Sequence, residues 1–224
     1  LTAEPDTLAE ALGLCGIELP ADKIERLDAY RTLLWDWNTK LNLTRHTTLE
    51  KFASRDIVDT LELSKLIPNR ARVLDVGSGG GVPGLVLAIV RPDLRLSVCD
   101  SVQKKSKVLE AITAELGLPA RVFAARVQEV LEVSTYDTLV ARAVAPLSKL
   151  LTLLAPHWDS FDQLLLIKGR SWADERGEAR HLGLLTGKEL RKAAEYTTPR
   201  TDAVSVVLRI WPEGRELPDE AEEA

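Results

Sequence analysis

At 224 residues, with 45% hydrophobic and 28% charged side chains, the chain has room for one α/β domain and a terminal extension, but not for two full domains. It holds no apolar run of the about 18–20 residues a membrane span needs. The net charge of −5 sits in residues 213–224, where six acids face one arginine; the remainder is neutral, so charge neither requires nor excludes a nucleic-acid partner.

The acidic start, Leu1-Thr2-Ala3-Glu4, has neither the basic nor the apolar part of a signal peptide, and a cytoplasmic location is expected. Met is absent throughout, which suggests a trimmed start and leaves open what precedes Leu1. Cys15 and Cys99 stand too far apart in sequence to suggest a disulfide framework, and no Cys/His spacing suggests a metal, so both are expected as thiols.

Residues 5–66 are expected to be helical. Leu27, Leu33, Leu34, Trp37 and Leu41 make an apolar stripe at helical spacing, and Phe52, Ile57, Leu61 and Leu63 continue it to Pro68. The period then changes. Arg72–Val76 reads as a buried parallel strand running into glycines, with a helix over Val82–Val90. A second strand is expected over Leu94–Cys99 and a second helix over Val102–Leu116, ended by Gly117 and Pro119. Further strands are expected at Arg121–Ala124, Thr138–Ala141 and Leu164–Lys168, with a helix over Leu147–Leu154. The strand Val204–Trp211 should pair antiparallel with one near Ala193–Thr197. Alternating strands and helices imply a mostly parallel, Rossmann-like sheet with helices on both faces. The organisation expected is a helical N-terminal extension over 1–67 packed on a main domain over 68–212, with an acidic, disordered tail over 213–224.

Asp75-Val76-Gly77-Ser78-Gly79-Gly80-Gly81-Val82-Pro83-Gly84 falls where the first strand meets the first helix, a junction that lets backbone approach a ligand closely. A dinucleotide fingerprint would place its third glycine at position 82, which is Val82. The D-x-G-x-G-x-G run instead resembles the first motif of class I S-adenosylmethionine-dependent methyltransferases, and a carboxylate at Asp75 suits an ammonium group better than a phosphate. Asp100, closing the second strand, is placed to accept hydrogen bonds from ribose hydroxyls.

Six blocks in order then make the chain resemble one family of these enzymes, RsmG (also called GidB), the bacterial small-subunit ribosomal RNA guanine-N7 methyltransferases. They are Trp37–Thr44, which fits W-N-x-x-x-N-L-T; Asp75–Gly84 with its Pro83-Gly84 ending; Arg91-Pro92; Asp100-Ser101 with Lys104 and Lys105; Arg142–Leu147; and Lys168-Gly169. The resemblance covers about residues 30–210. It implies methyl transfer from S-adenosylmethionine to guanine N7 in 16S ribosomal RNA or the 30S subunit, by a monomer with no membrane contact. It implies that Gly77, Gly79 and Val82 line the methionine end of the cofactor, that Asp100 holds the ribose, that Val127 and Gln128 flank the adenine, and that Arg142 sits at the cofactor pocket. Asn42, Arg45, Arg55, Lys168 and Arg200 become candidates for the RNA-facing side. The chain departs from the family at three places: Asp56 replaces the histidine of R-H-x-x-D-S, Gln128 replaces an acid, and Pro199–Asp202 reduces a G-x-x-R-H segment.

Guanine N7 offers a lone pair and no proton, so no side chain is named as general acid or base, and catalysis rests on alignment. The base must be unstacked to be reached. Lys104, Lys105 and Lys107 read better as a solvated helix face than as a binding site, Trp35 and Trp37 better as core than as stacking platforms, and Arg142 is open to a buried ion pair. His46 carries no assignment. The readings left beside this one are a class I methyltransferase for a small molecule or protein, a binding module that keeps the fold, and an NAD-linked oxidoreductase, which Val82 and Asp75 oppose.

Overall fold

The structure, a computed structural model, describes residues 4–201 and 203–217. Two helices come first, α1 (Leu8–Leu14) and α2 (Ala21–Asn38). The Thr7 hydroxyl accepts from the Glu10 N–H at 3.2 Å and the Glu10 carboxylate accepts back from the Thr7 N–H, a reciprocal cap that starts α1. Helix α2 buries Leu27, Tyr30 and Leu34. Residues 39–48 are not helical, a correction to the helical reading of residues 5–66. The cause is Asn38, whose Oδ1 accepts from the N–H groups of Leu43 (2.8 Å) and Thr44 (3.0 Å) and so draws the chain out of the helix. The helical path resumes through α3 (Leu49–Lys51), a π-helical turn (Phe52–Ile57) and α4 (Val58–Ser64).

Seven strands follow: β1 (Arg72–Val76), β2 (Arg95–Cys99), β3 (Ala120–Phe123), β4 (Tyr136–Arg142), β5 (Phe161–Lys168), β6 (Lys188–Thr197) and β7 (Val204–Pro212). They form one sheet in the order β3-β2-β1-β4-β5-β7-β6. The first five strands run parallel; β7 joins β5 antiparallel and β6 pairs antiparallel with β7. The strand order reverses between β1 and β4, and the crevice at their carboxyl ends is where such sheets take ligands.

The crossover helices are α5 (Gly84–Val90), α6 (Gln103–Glu115), α7 (Val127–Val133) and α8 (Leu147–Leu154), with α9 (Trp172–His181) after β5. Alternation along β1 sends Val73 to one core and Leu74 to the other. The first core packs Leu27, Tyr30, Leu34, Phe52, Leu85 and Leu109 on one face of the sheet, so the N-terminal helices share a core with α5 and α6. The second packs Val130, Leu131, Leu150, Leu151 and Leu154 on the other. Helix α5 begins at Gly84, two residues later than the apolar run suggests, because residues 80–83 form the turn that ends in Pro83. Helices α7 and α9 and the 3-10 segment Ala155–Ser160 were not expected; α9 buries only Ala179, too little to make an apolar stripe. Of the expected tail, Arg215 donates to the Phe161 carbonyl at 2.7 Å and pairs with Asp162, while residues 218–224 lie outside those described.

Candidate cofactor and substrate site

The loop between β1 and α5 is held from below and from the side. Asp75 is fully buried under it; Oδ2 accepts from the Gly84 N–H at 2.9 Å and from the Ser78 hydroxyl. Burial pushes the Asp75 carboxyl up to about 6, against the pull of those two donors. Gly84 cannot be replaced cheaply, since a Cβ there would meet Val98 Cγ1 at 2.5 Å and Asp75 Oδ2 at 2.7 Å. From the side, the buried Tyr30 hydroxyl donates to the Gly80 carbonyl at 2.8 Å, which ties the loop to α2. Asp75 thus shapes the loop from below and lines neither cavity beside it, while its Oδ1 is buried without a partner.

Two cavities flank Gly77. The first, about 400 Å³, is lined by Gly77, Cys99, Asp100, Ala125, Val127, Gln128, Val144, Lys149, Leu150 and Leu153. Asp100 is its one carboxylate. Oδ2 accepts from the Gly79 N–H at 3.0 Å and Oδ1 from the Val102 N–H at 2.8 Å, fixing the group at the end of β2. Cys99 is no nucleophile, since burial pushes its thiol up to about 12. Apolar walls with a single anchored carboxylate suit a flat apolar ring joined to a sugar diol.

The second cavity, about 540 Å³, opens on the other side of Gly77. Its cationic lining is Arg45, Arg55, Lys105, Arg142 and Lys168, and Asp59 is its one carboxylate among the described residues. Arg142, at the end of β4, reaches down to the helical wall: its guanidinium meets Asp56 Oδ1 at 2.7 Å and Asp59 Oδ2 at 3.4 Å. Both acids come from the stretch around the π-helical turn, three residues apart, and both are buried. Burial opposes the charge on Arg142, but Asp56 and Asp59 more than restore it and hold its pKa above the ordinary value. Burial raises the Asp59 carboxyl although Arg142 and the Tyr196 hydroxyl, donating at 2.7 Å, pull the other way. The ion pair left open for Arg142 is thus present. Asp56, the departure from the family's histidine, is one end of it, and His46 Nδ1 stands 2.7 Å from the same oxygen.

The segment joining β4 to α8 arches over Gly77. Ala143 takes φ +52°, and Val144 lies so close that a Cβ on Gly77 would meet its Cγ1 at 2.9 Å. Lys168 holds this arch: its ammonium donates to the Ala145 carbonyl at 2.8 Å and to Glu175 at 2.7 Å. Burial pushes the Glu175 carboxyl up, but Lys168 and the Leu147 N–H overcome it and leave it below the usual range.

Of the residues expected at the cofactor, Gly77, Asp100, Val127 and Gln128 line the first cavity, while Gly79, Val82 and Arg142 line the second together with Gly77. Of those expected to face RNA, Arg45, Arg55 and Lys168 line the second cavity, with Arg55 donating to Thr198 at 2.8 Å. Asn42 is exposed and lines neither; Arg200 pairs with Glu50 at 3.1 Å and lines neither. Lys105 lines the second cavity, whereas Lys104 and Lys107 are exposed and line neither. Trp35 and Trp37 pack against the core. Sequence reasoning gave no role to Asp59, Lys149, Glu175, Tyr196 or His46; the Asp56-x-x-Asp59 spacing on one helical face was the only signal pointing to any of them.

A family model described as "GidB: rRNA small subunit methyltransferase G" matches residues 23–201. A protein named ribosomal RNA small subunit methyltransferase G from Rhodopirellula baltica is 49% identical over 186 residues, 83% of this chain and 80% of that protein. One of the same name from Anaeromyxobacter is 33% identical over 88% of this chain and 93% of its own. Among solved structures, M. capricolum TrmK bound to S-adenosyl-homocysteine aligns with a TM-score of 0.53 at 14% identity, over 74% of this chain and 70% of that one. A methyltransferase from Pyrococcus furiosus aligns with a TM-score of 0.55 at 10% identity, over 70% and 82%. These structural likenesses carry the fold; the sequence matches carry the family, and the chain belongs to the ribosomal RNA small subunit methyltransferase G family.

Proposed function

We propose that the protein transfers a methyl group from S-adenosylmethionine to N7 of a guanine in 16S ribosomal RNA. The observation that carries this reading is the pair of cavities meeting at Gly77: one apolar with an anchored carboxylate, the other rimmed by five cationic side chains.

The first cavity fits the adenosine part of the cofactor. The Asp100 carboxylate, already fixed by two backbone N–H groups, has lone pairs left for ribose hydroxyls. Val127 and Gln128 flank the adenine, and Gly77, Gly79 and Val82 line the path toward the amino-acid end, with Arg142 beyond them. The unpartnered Asp75 Oδ1 beneath this path adds negative potential on the side where an ammonium group belongs. Bound here, S-adenosylmethionine supplies an electrophilic methyl group.

The second cavity takes the RNA. Arg45, Arg55 and Lys105 offer charge to phosphates around an extruded base. Lys168 acts through the arch rather than as a free cation, because both of its contacts are internal. Since N7 holds a lone pair and no proton, the side chains need only orient the base and exclude water. The test is transfer of labelled methyl to 16S ribosomal RNA and to 30S subunits, with nucleoside analysis of the product. The expected product is 7-methylguanosine; transfer to neither substrate, or a different methylated nucleoside, contradicts the reading.

A further inference from the structure

His46 is held as few surface loop residues are. Its N–H donates to Thr44 Oγ1 at 3.0 Å and its carbonyl accepts from Trp35 Nε1 at 3.0 Å, so its backbone is fixed on both sides. Its Nδ1 lies 2.7 Å from Asp56 Oδ1, the oxygen that also meets Arg142 at 2.7 Å. Asp56 is completely buried, whereas 26% of the His46 side chain is exposed, and the residue lines the second cavity.

The tautomer follows from the partners. Arg142 keeps its charge at any ordinary pH, so the oxygen it binds serves as an acceptor. The ring nitrogen facing that oxygen therefore donates to it, and in the neutral form of the ring it is Nε2 that carries the bare lone pair. The charged groups around it are the five cations Arg45, Arg55, Lys105, Arg142 and Lys168, which only donate, and Asp59, whose two oxygens are committed to Tyr196 and Arg142. In a cavity crowded with donors, the neutral His46 ring offers an acceptor at Nε2, on a backbone held from both sides.

We infer that His46 is a specificity residue, whose Nε2 accepts a hydrogen bond from the Watson–Crick donor edge of the target guanine. The inference rests on the guanine reading above and names how the same site selects its base. Guanine presents N1–H and the N2 amine on that edge. Adenine carries its one donor, the N6 amine, at the other end of that edge, so an Nε2 set opposite the guanine N1–H and N2 amine would face a bare N1 and a C2–H. Methylation at N7 places positive charge on the purine and makes N1–H more acidic, so a bond to Nε2 is stronger in the transition state than before it. No proton has to change hands. Asp56 is the positioning residue, acting only through the imidazole.

The test is a titration of the unmodified, ¹⁵N-labelled protein with guanosine 5′-monophosphate and, separately, adenosine 5′-monophosphate, followed on the imidazole nitrogens. The chain has three histidines, and His157→Gln and His181→Gln, both outside the two cavities, assign His46 by elimination. The expected free protein shows His46 Nδ1 protonated and Nε2 bare; the guanosine nucleotide shifts Nε2 toward the protonated range and the adenosine nucleotide leaves it unmoved. With 30S subunits, His46→Phe, which keeps the ring and removes the acceptor, should lower kcat about 10- to 100-fold while calorimetric affinity for S-adenosylhomocysteine stays within twofold. A protonated Nε2 in the free protein, equal or absent responses to the two nucleotides, or a wild-type kcat in His46→Phe overturns the inference. A wild-type protein that forms no 7-methylguanosine instead overturns the underlying reading, and the titration still decides the role of His46.

Discussion

The wall of the site that carries Asp100 and the wall that carries Arg142 meet at Gly77, yet they are built in different ways. The first is drawn from successive strand–helix units, each contributing at the carboxyl end of its strand: the glycine loop, the end of β2, the start of α7 and the passage from β4 into α8. Its anchored carboxylate, Asp100, is set by backbone N–H groups of Gly79 and Val102. The second is made from distant pieces. Arg142 on β4 meets Asp56 and Asp59, Asp59 meets Tyr196 on β6, and Asp56 meets His46 on the loop after α2. A site made of backbone is written locally; a site made of side-chain charge exists only once the sheet and the N-terminal helices have come together.

That difference can be broken most forcefully at Arg142. Arg142→Met leaves Asp56 and Asp59 buried without their cation, and loss of one partner of a buried pair costs about 3–5 kcal/mol. For a chain of this size the expected fall in Tm is roughly 10 °C by calorimetry. A change of only a degree or two would mean that the network is solvated and the second wall is not held by charge.

Asp75 gives a pH-dependent contrast between the loop and that network. Its carboxyl is raised from 3.8 to about 6, so the folded state binds the proton more tightly than the unfolded state does. The penalty for burying its charge is therefore absent below about pH 4, and stability is lost as pH rises toward about 6, by about 2–3 kcal/mol in all. Asp75→Asn keeps an acceptor for Gly84 and removes the titration. Tm measured from pH 4 to 7 should fall more steeply for wild type than for the variant; parallel curves contradict the buried, raised carboxyl.

On the first wall, Asp100→Ala should weaken S-adenosylhomocysteine binding about 10- to 100-fold by calorimetry, the worth of charge-assisted hydrogen bonds to ribose. Unchanged affinity would remove Asp100 from the cofactor. The smallest effect is expected at Asn42, which lies outside both cavities: Asn42→Ala should keep methyl transfer within twofold and stability within about 0.5 kcal/mol. A large loss there would extend the RNA surface beyond the second cavity.

What the sequence made legible follows the same division. The Rossmann-like order of strands and helices could be read from apolar period and glycine position, because buried strands, their turns and their crossovers each leave a local mark. Of the first wall, the glycine loop and Asp100 were legible for that reason, whereas Val127 and Gln128 came only from the family resemblance, because α7 is too short to leave a clear apolar period. The break after Asn38 was hidden by Trp37 and Leu41, which keep helical spacing on both sides of a side-chain cap. Asp56 looked like a defect when set against the family pattern. Its meaning came from Arg142, 86 residues later, and from His46 on a loop that was expected to be helix.

The central claim is that cofactor and base occupy different walls, and a crystal structure of the protein with S-adenosylhomocysteine tests it most directly. The account predicts the ribose hydroxyls within hydrogen-bond distance of Asp100, the adenine against Val127 and Gln128, and only the amino-acid end passing Gly79 and Val82, with the rest of the second cavity free for the base. Adenosine lodged instead among Arg45, Arg55 and Arg142 would contradict it.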